Sequence, residues 1–246
     1  DDLKDDEASS RAYREAIAAK PDYAEAYCNL GLAEYRLGSF RQALADLERG
    51  IDLIPEADPK RPTWLQLAGL ARSLAALEPR LEESLAGGPS PTDASETVGF
   101  ARLCAWKNRQ LHARAARHYA DAFQADPKLA DDLIVGDRYN AAGSAILAGL
   151  GQGRDAGSLD PERRAALRAM GLDWLRADLA LRARIIEGSD AAAAERSRAL
   201  LRYWMREPNF AGVREPEALA ALPQTERELW QALWADLEKL ASTPSP

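Results

Sequence analysis

The sequence contains little of several residue types that define common protein classes. Cysteine and histidine each occur twice in 246 residues, as Cys28, Cys104, His112 and His118. Two cysteines cannot build the disulfide framework of a small secreted domain, and both fall at predicted buried helical positions. We therefore expect free thiols and a reducing, cytoplasmic environment.

Long apolar runs and basic clusters are also missing. No stretch of about 18 apolar residues occurs, so we expect no membrane insertion, and no signal peptide is recognisable. The formal net charge is -7, and lysine and arginine do not gather into a stripe. We therefore do not expect a nucleic acid ligand, and the negative charge is too diffuse to imply a cationic partner.

Valine and isoleucine are few, whereas alanine is abundant and glycine and proline mainly punctuate longer segments. The hydrophobic share of 46% is enough for a core. Since alanine is the best helix former and β-branched residues favour strands, this composition predicts an all-α fold.

The segment 24–55 has the clearest internal organisation. Its first predicted helix contains Leu30 and Gly31, a turn follows at Gly38, and the second helix ends at Pro55. Glycine at the turn permits a positive φ, and proline cannot continue a helix. The segment is therefore a predicted helix-turn-helix unit.

Small residues at fixed positions make this pattern specific. Gly31 and Ala43 are predicted to lie where the two helices touch, because larger side chains would push the axes apart. Pro55 follows Pro21 by 34 residues. The arrangement resembles a tetratricopeptide repeat (TPR), which has this period. The resemblance implies a helical-repeat array, a right-handed α-solenoid, with degenerate repeats and a C-terminal capping helix.

Residues 8–21 resemble the second helix of a preceding repeat whose first helix is missing. Tyr13 and Ile17 stand 34 residues before Leu47 and Ile51. The chain begins at Asp1 without methionine and so looks like a fragment of a longer protein. We expect residues 1–7 to form a mobile acidic lead-in.

Two regions are predicted, 1–86 and 92–241. The first ends in a linking or capping helix from Pro62 to about Ala86, which Pro79 is expected to kink or split. The boundary lies at Gly87–Pro91, where Ser90 can cap the next helix.

The second region is predicted to be a degenerate TPR-like helical domain with capping helices. Its predicted helices span 92–108, 111–126, 137–149, 160–187, 189–205 and 225–240. Asp160 and either Ser189 or Asp190 are candidate helix caps. Phe210 and Val213 require burial within an ordered loop. Residues 241–246 are expected to be disordered.

Four segments of the second region occur in an order that suggests a more particular family. They read RHYADAFQADPKLADDL, DRYNAAGSAILAG, ALRAMGLDWLRADLALRARII and YWMREPNFAGVREPEALAALPQTERELWQALWADL. This succession resembles the C-terminal TPR-containing region of large bacterial, planctomycete-type, eukaryotic-like Ser/Thr protein kinases. The resemblance implies an N-terminal kinase domain outside this sequence and assigns no functional residues to this region.

The candidate binding site is the groove lined by the first helix of the complete repeat. The residues expected to face this groove or its edge are Glu25, Cys28, Asn29, Leu32, Tyr35 and Arg36. Asn29 could bond a ligand backbone, Leu32 and Tyr35 could form an apolar pocket, and Arg36 could pair with a carboxylate. Alternatively, neighbouring helices or the Pro62–Ala86 segment fill this groove.

No catalytic residue, cofactor or metal is predicted. The six-residue separation of His112 and His118 points their side chains in different directions, and Cys104 lies on an apolar helix face. Asp131 and Asp132 diverge because they are consecutive. Gly149–Gly153 lacks the preceding strand of a phosphate loop and is interpreted as a flexible connection.

Three functions remain open. The first is a non-catalytic interaction or scaffold module that binds a protein, a peptide or the kinase domain of its own chain. The second is a structural module that packs on itself or dimerises through its tryptophan-rich end, positioning an attached kinase. The third, an enzyme built on helical repeats, has no catalytic constellation to support it.

Overall fold

The computed structural model describes residues 2–133 and 135–242, with the backbone alone at residues 2 and 3. Every regular element in these ranges is a helix, which confirms the predicted all-α fold. The chain divides into two compact units. Unit 1 contains residues 1–92 and 106–109, and unit 2 contains residues 93–105 and 110–246.

Unit 1 is built from four successive helices: α1 (Asp2–Ala19), α2 (Ala24–Leu37), α3 (Phe40–Leu53) and α4 (Arg61–Leu85). Each helix packs on the next one along the chain. Ala43, Leu47 and Ile51 of α3 form a core with Ala68 and Ala71 of α4. Stacking successive helices in this way buries the apolar face of each helix against its neighbour.

The acidic segment predicted to be a mobile lead-in is helical from Asp2 onward, so that expectation was wrong for residues 2–7. Asp1 lies outside the described residues. Asp6 is buried, and its carboxylate lies 3.6 Å from the guanidinium of Arg36 on α2. Acidic side chains near a helix N-terminus also interact favourably with the helix dipole.

The proline inside α4 does not split this helix, contrary to one of the two predicted outcomes. Pro79 lies within the continuous span Arg61–Leu85. Leu74 and Leu81, on either side of it, are both buried. Burial of apolar residues before and after the proline offsets the loss of one backbone hydrogen bond.

Unit 2 contains eight α-helices and a 3-10 helix among its described residues. They are α5 (Ala94–Ala105), α6 (His112–Ala125), α7 (Lys128–Asp131), α8 (Asp137–Gly149), α9 (Pro161–Ile186), α10 (Ala191–Trp204), the 3-10 helix Pro208–Val213, α11 (Pro216–Ala220) and α12 (Gln224–Ser242). The main core gathers residues of α8, α9, α10 and α12 around Trp204 and Trp230. Phe210 and Val213 are buried in it, as expected.

Several helix ends differ from the prediction. Helix α5 begins after Asp93, whose carboxylate accepts a hydrogen bond from the Glu96 amide at 2.9 Å, so Ser90 is not its cap. Asp160 and Asp190 cap α9 and α10 through their side chains. Ala241 and Ser242 are helical rather than disordered. Residues 243–246 lie outside the described part of the chain.

The connection after α8 is not the flexible loop that the sequence suggested. The amide of Arg154 donates to the carbonyl of Gln110 at 2.9 Å. The carboxylate of Asp155 accepts from the amides of Ala113 and Arg114 at 3.1 and 2.9 Å. The loop thus caps the N-terminus of α6, where free N–H groups require acceptors.

Candidate functional site

Close packing of α2 on α3 fixes the face that carries the predicted groove. A Cβ atom on Gly31 would lie 2.6 Å from Cγ of Leu47 and 2.9 Å from the carbonyl oxygen of Ala43. A Cβ atom on Gly50 would lie 2.5 Å from Sγ of Cys28. All three distances are shorter than a Cβ atom tolerates, so the two glycines permit the observed approach of α2 and α3.

The turn between these helices is closed by backbone hydrogen bonds. Gly38 has φ of 81°, in the left-handed region, and its amide donates to the carbonyl of Tyr35 at 3.0 Å. The amide of Ser39 donates to the carbonyl of Glu34 at 2.9 Å. This is the glycine-terminated helix end that the sequence predicted.

Cys28 does not face a groove, which corrects one of the six predicted site residues. Its side chain is fully buried against Gly50 of α3. Burial raises the pKa of the Cys28 thiol to about 11, with smaller contributions from the nearby carboxylates of Asp58 and Glu25. The thiol is therefore a protonated packing group.

The charged members of the predicted site are engaged in ion pairs. Glu25 is exposed and accepts from Nζ of Lys60 at 3.1 Å. Arg36, also exposed, lies beside the carboxylate of Asp6. The Glu25–Lys60 pair lies at the surface, where such pairs contribute little stability and exchange readily with solvent or another charged group. The pair of Arg36 differs because the carboxylate of Asp6 is buried.

The aromatic member of the site contacts residues of its own unit. The ring centroid of Tyr35 lies 5.6 Å from that of Phe40 and 5.2 Å from that of Trp106. The indole N–H of Trp106 donates to the carbonyl of Arg36 at 3.2 Å. The C-terminal end of α2 is therefore partly covered by Trp106.

Trp106 does not belong to the predicted helix 92–108 of the second region, which corrects that prediction. Helix α5 ends at Ala105, and residues 106–109 form turns that belong to unit 1. Arg109 places its guanidinium 2.9 Å from Glu78 and also pairs with Glu82. No helical periodicity could have revealed these contacts, because they depend on tertiary structure.

Two predicted residues remain available on α2. Asn29 and Leu32 are half-buried, and neither side chain makes a hydrogen bond or ion pair with a described residue. They stand three residues apart, so they lie on the same side of the helix. Together they offer one amide group next to one apolar group.

A separate cleft of about 270 Å³ lies between α1 and α2. Its lining residues are Glu7, Ser10, Arg11, Arg14, Glu34 and Leu37. The guanidinium of Arg14 pairs with the carboxylate of Glu34, whose side chain is 5% exposed. The hydroxyl of Ser10 is buried without a hydrogen-bond partner among the described residues. Sequence reasoning did not identify this cleft, since nothing in the repeat pattern marks Ser10.

The histidines, the cysteine and the two consecutive aspartates of unit 2 are each at least partly buried or paired with another group. Burial lowers the pKa of His112 and of His118, which favours their neutral forms. Cys104 is buried. Asp131 pairs with Arg138, and Asp132 accepts from the amide of Val135 at 3.1 Å.

Within residues 2–133 and 135–242, no three His, Cys, Asp or Glu side chains are grouped closely enough to hold a metal ion. In the same ranges, every helix is too short or too polar to traverse a lipid bilayer.

Comparisons with known proteins identify the helices that carry these surfaces. Residues 2–38, comprising α1 and α2, match a family model described as a TPR repeat. Residues 24–56, comprising α2 and α3, match a second model described as a tetratricopeptide repeat. A search of curated proteins found no significant match. The first three helices of this chain therefore form tetratricopeptide repeats.

Proposed function

We propose that this chain is a non-catalytic protein-interaction module that binds a protein or peptide through the free face of α2. The observation that carries the proposal is the TPR match over α1, α2 and α3. Helical repeats stack into extended surfaces, and such surfaces commonly serve as binding faces.

The chemistry of the free face suits a peptide. The amide of Asn29 can donate to one backbone carbonyl of a ligand and accept from one N–H. Leu32 beside it can contact an apolar side chain. Helix α2 is held by α1 on one side and α3 on the other, so its side chains are positioned before binding. A preorganised surface loses less conformational entropy when the ligand arrives.

The more specific assignment rests on the order of segments in residues 117–237. On that basis we infer a module of a bacterial Ser/Thr protein kinase that recruits substrates or regulators, or that binds the kinase domain of the same polypeptide. Two buried free cysteines support a reducing, cytoplasmic setting.

Dimerisation through the tryptophan-rich end is the less favoured alternative, because its tryptophans pack within unit 2. Trp204 and Trp230 are both fully buried in the core of unit 2. Trp234 packs on that core, and its indole N–H donates to the carbonyl of Val213 at 2.7 Å. These side chains stabilise the unit itself rather than forming an exposed apolar face.

The test uses the whole chain as bait with three matched variants. Asn29→Ala and Leu32→Glu alter the proposed face, whereas Ala45→Glu introduces the same charge at an exposed position of α3. The proposal predicts that a protein retained by the wild type and by Ala45→Glu is lost from the other two. Circular dichroism should first show that all four proteins are folded. Equal retention by all four, or no retained protein, would contradict the proposal.

A further inference from the structure

The cleft between α1 and α2 contains hydrogen-bonding groups that the fold does not use. Ser10 is 2% exposed, yet its hydroxyl oxygen has no partner among the described residues. Glu7 and Arg11 line the same cleft and form no ion pair or hydrogen bond with a described residue. A buried polar atom without a partner carries a free-energy penalty that a bound ligand can remove.

The remaining charges around the cleft compensate each other. Arg14 pairs with Glu34 across the cleft. At one end, Asp6 of α1 lies 3.6 Å from Arg36 of α2. The two uncommitted charged groups, Glu7 and Arg11, have opposite signs. The lining therefore offers no excess charge that would select an ion.

We propose that this cleft binds the backbone of an extended, uncharged peptide segment that places one apolar side chain on Leu37. The backbone supplies N–H donors and carbonyl acceptors in alternation. Arg11 can donate to a carbonyl, Glu7 can accept from an N–H, and the Ser10 hydroxyl can do either. An isolated carboxylate or ammonium would satisfy only one kind of group.

The size of the cleft limits what it can hold. Its volume of about 270 Å³ is just below the range of about 300–1,000 Å³ that accommodates drug-sized ligands. The cleft therefore takes a short anchor of a longer peptide rather than a folded element. The inference rests on the proposed function for the nature of the partner, but it places a contact on a different surface from Asn29 and Leu32.

The experiment is an NMR titration of the whole chain with a defined probe, the blocked peptide acetyl-Ser-Gly-Leu-Gly-Ser-amide. Two further peptides carry aspartate or lysine in place of leucine. We expect the leucine peptide to shift the amides of residues 7–14 and 34–37, with an affinity that changes little between about 50 and 500 mM salt, because screening acts on charged pairs.

Three variants identify the contacts. Ser10→Ala and Arg11→Ala should each weaken binding of the leucine peptide by about 3- to 10-fold, the effect of one lost hydrogen bond. Arg49→Ala, at an exposed α3 position outside the cleft, should leave affinity unchanged. Ser10→Ala should not destabilise the free protein, because the hydroxyl has no partner to lose. If Ser10 had only a structural role, Ser10→Ala would lower the stability of the free protein as well as its affinity for the peptide.

Four results would overturn the inference. They are tighter binding of the aspartate or lysine peptide with steep salt dependence, no shift at the cleft with any peptide, cleft shifts that follow protein concentration alone, and equal binding by Ser10→Ala. The proposed function has its own test at Asn29 and Leu32. Loss of a native partner in those variants but not in Ser10→Ala would reject the cleft and keep the function.

Discussion

Replacement of Gly31 by alanine tests the helix packing that supports the binding face. The added Cβ would lie 2.6 Å from Cγ of Leu47, a fully buried side chain, and 2.9 Å from the carbonyl oxygen of Ala43. Neither neighbour can move away without a large cost in free energy, because one is packed in the core and the other is helix backbone.

The expected magnitude is the balance of two effects. Overpacking of this kind costs about 1–3 kcal/mol. Alanine in place of glycine within a helix gains about 0.5–1 kcal/mol. Gly31→Ala should therefore lower the free energy of unfolding of unit 1 by about 1 kcal/mol, the difference between the midpoints of these two ranges.

Gly69 provides a matched control. It lies inside α4, and apart from its chain neighbours and the adjacent backbone of its own helix, no atom lies within 4 Å of a Cβ built on it. Gly69→Ala should therefore gain helix propensity alone and stabilise unit 1 by about 0.5–1 kcal/mol. The two substitutions are chemically identical, so opposite changes in the free energy of unfolding would reflect the different packing around Gly31 and Gly69.

The assay is urea denaturation followed by circular dichroism, with hydrogen-exchange mass spectrometry to locate the change. In Gly31→Ala, peptides from α2 and α3 should exchange faster, whereas peptides from unit 2 should not change. If Gly31→Ala is as stable as Gly69→Ala, the close contact between α2 and α3 is wrong, and the register of the repeat is wrong with it.

Three further predictions concern caps, buried charge and thiols. Asp190→Ala should destabilise unit 2 by about 1 kcal/mol in urea titrations, because the Ala193 amide loses its acceptor; an unchanged midpoint would contradict the cap. Burial raises the pKa of Asp178, and its nearest contact in the pair with Arg182 is 3.6 Å. Stability from this group is therefore greatest below the unfolded pKa of about 3.9 and falls as pH rises through the folded pKa. The stability difference between wild type and Asp178→Asn should change across that window, and a constant difference would contradict the pKa direction. Ellman's reagent at pH 8 should label Cys28 and Cys104 only when urea unfolds the protein; rapid labelling of either thiol in the native state would contradict its burial.

Turns, tight helix contacts and helix caps could be predicted from the sequence because interactions between nearby residues determine them. Gly38 requires a positive φ at a helix end, and Gly31 is the small residue at a tight helix contact. The caps at Asp160 and Asp190 follow from the same kind of local rule. Such signals depend on neighbours a few residues away and are readable without a structure.

The predictions from sequence that were wrong concern residues whose positions depend on long-range contacts. Asp6 was assigned to a mobile segment, but Arg36 lies beside its buried carboxylate. Pro79 stays inside a continuous helix in which the flanking leucines are buried. Trp106 leaves its helix and contacts Tyr35 and Phe40. Tertiary packing overrides local propensity at each of these positions.

The candidate site was predicted only in part for the same reason. Repeat geometry indicated which residues share a helix face, but it could not show that Cys28 packs against Gly50. It also could not show that Trp106 covers the end of α2. The cleft at Ser10 depends on the gap between α1 and α2, which exists only in three dimensions.

The free face of α2 is the surface that we propose binds a protein. The most direct measurement replaces Leu32 with a photo-reactive benzophenone amino acid in the whole chain and identifies what is cross-linked in extracts of the native cells. The same replacement at Ala45, an exposed α3 position, is the control. We expect one recurrent partner peptide that is cross-linked at position 32, is absent at position 45 and is displaced by a synthetic copy of that peptide. Equal products at both positions, or none at position 32, would contradict this proposal.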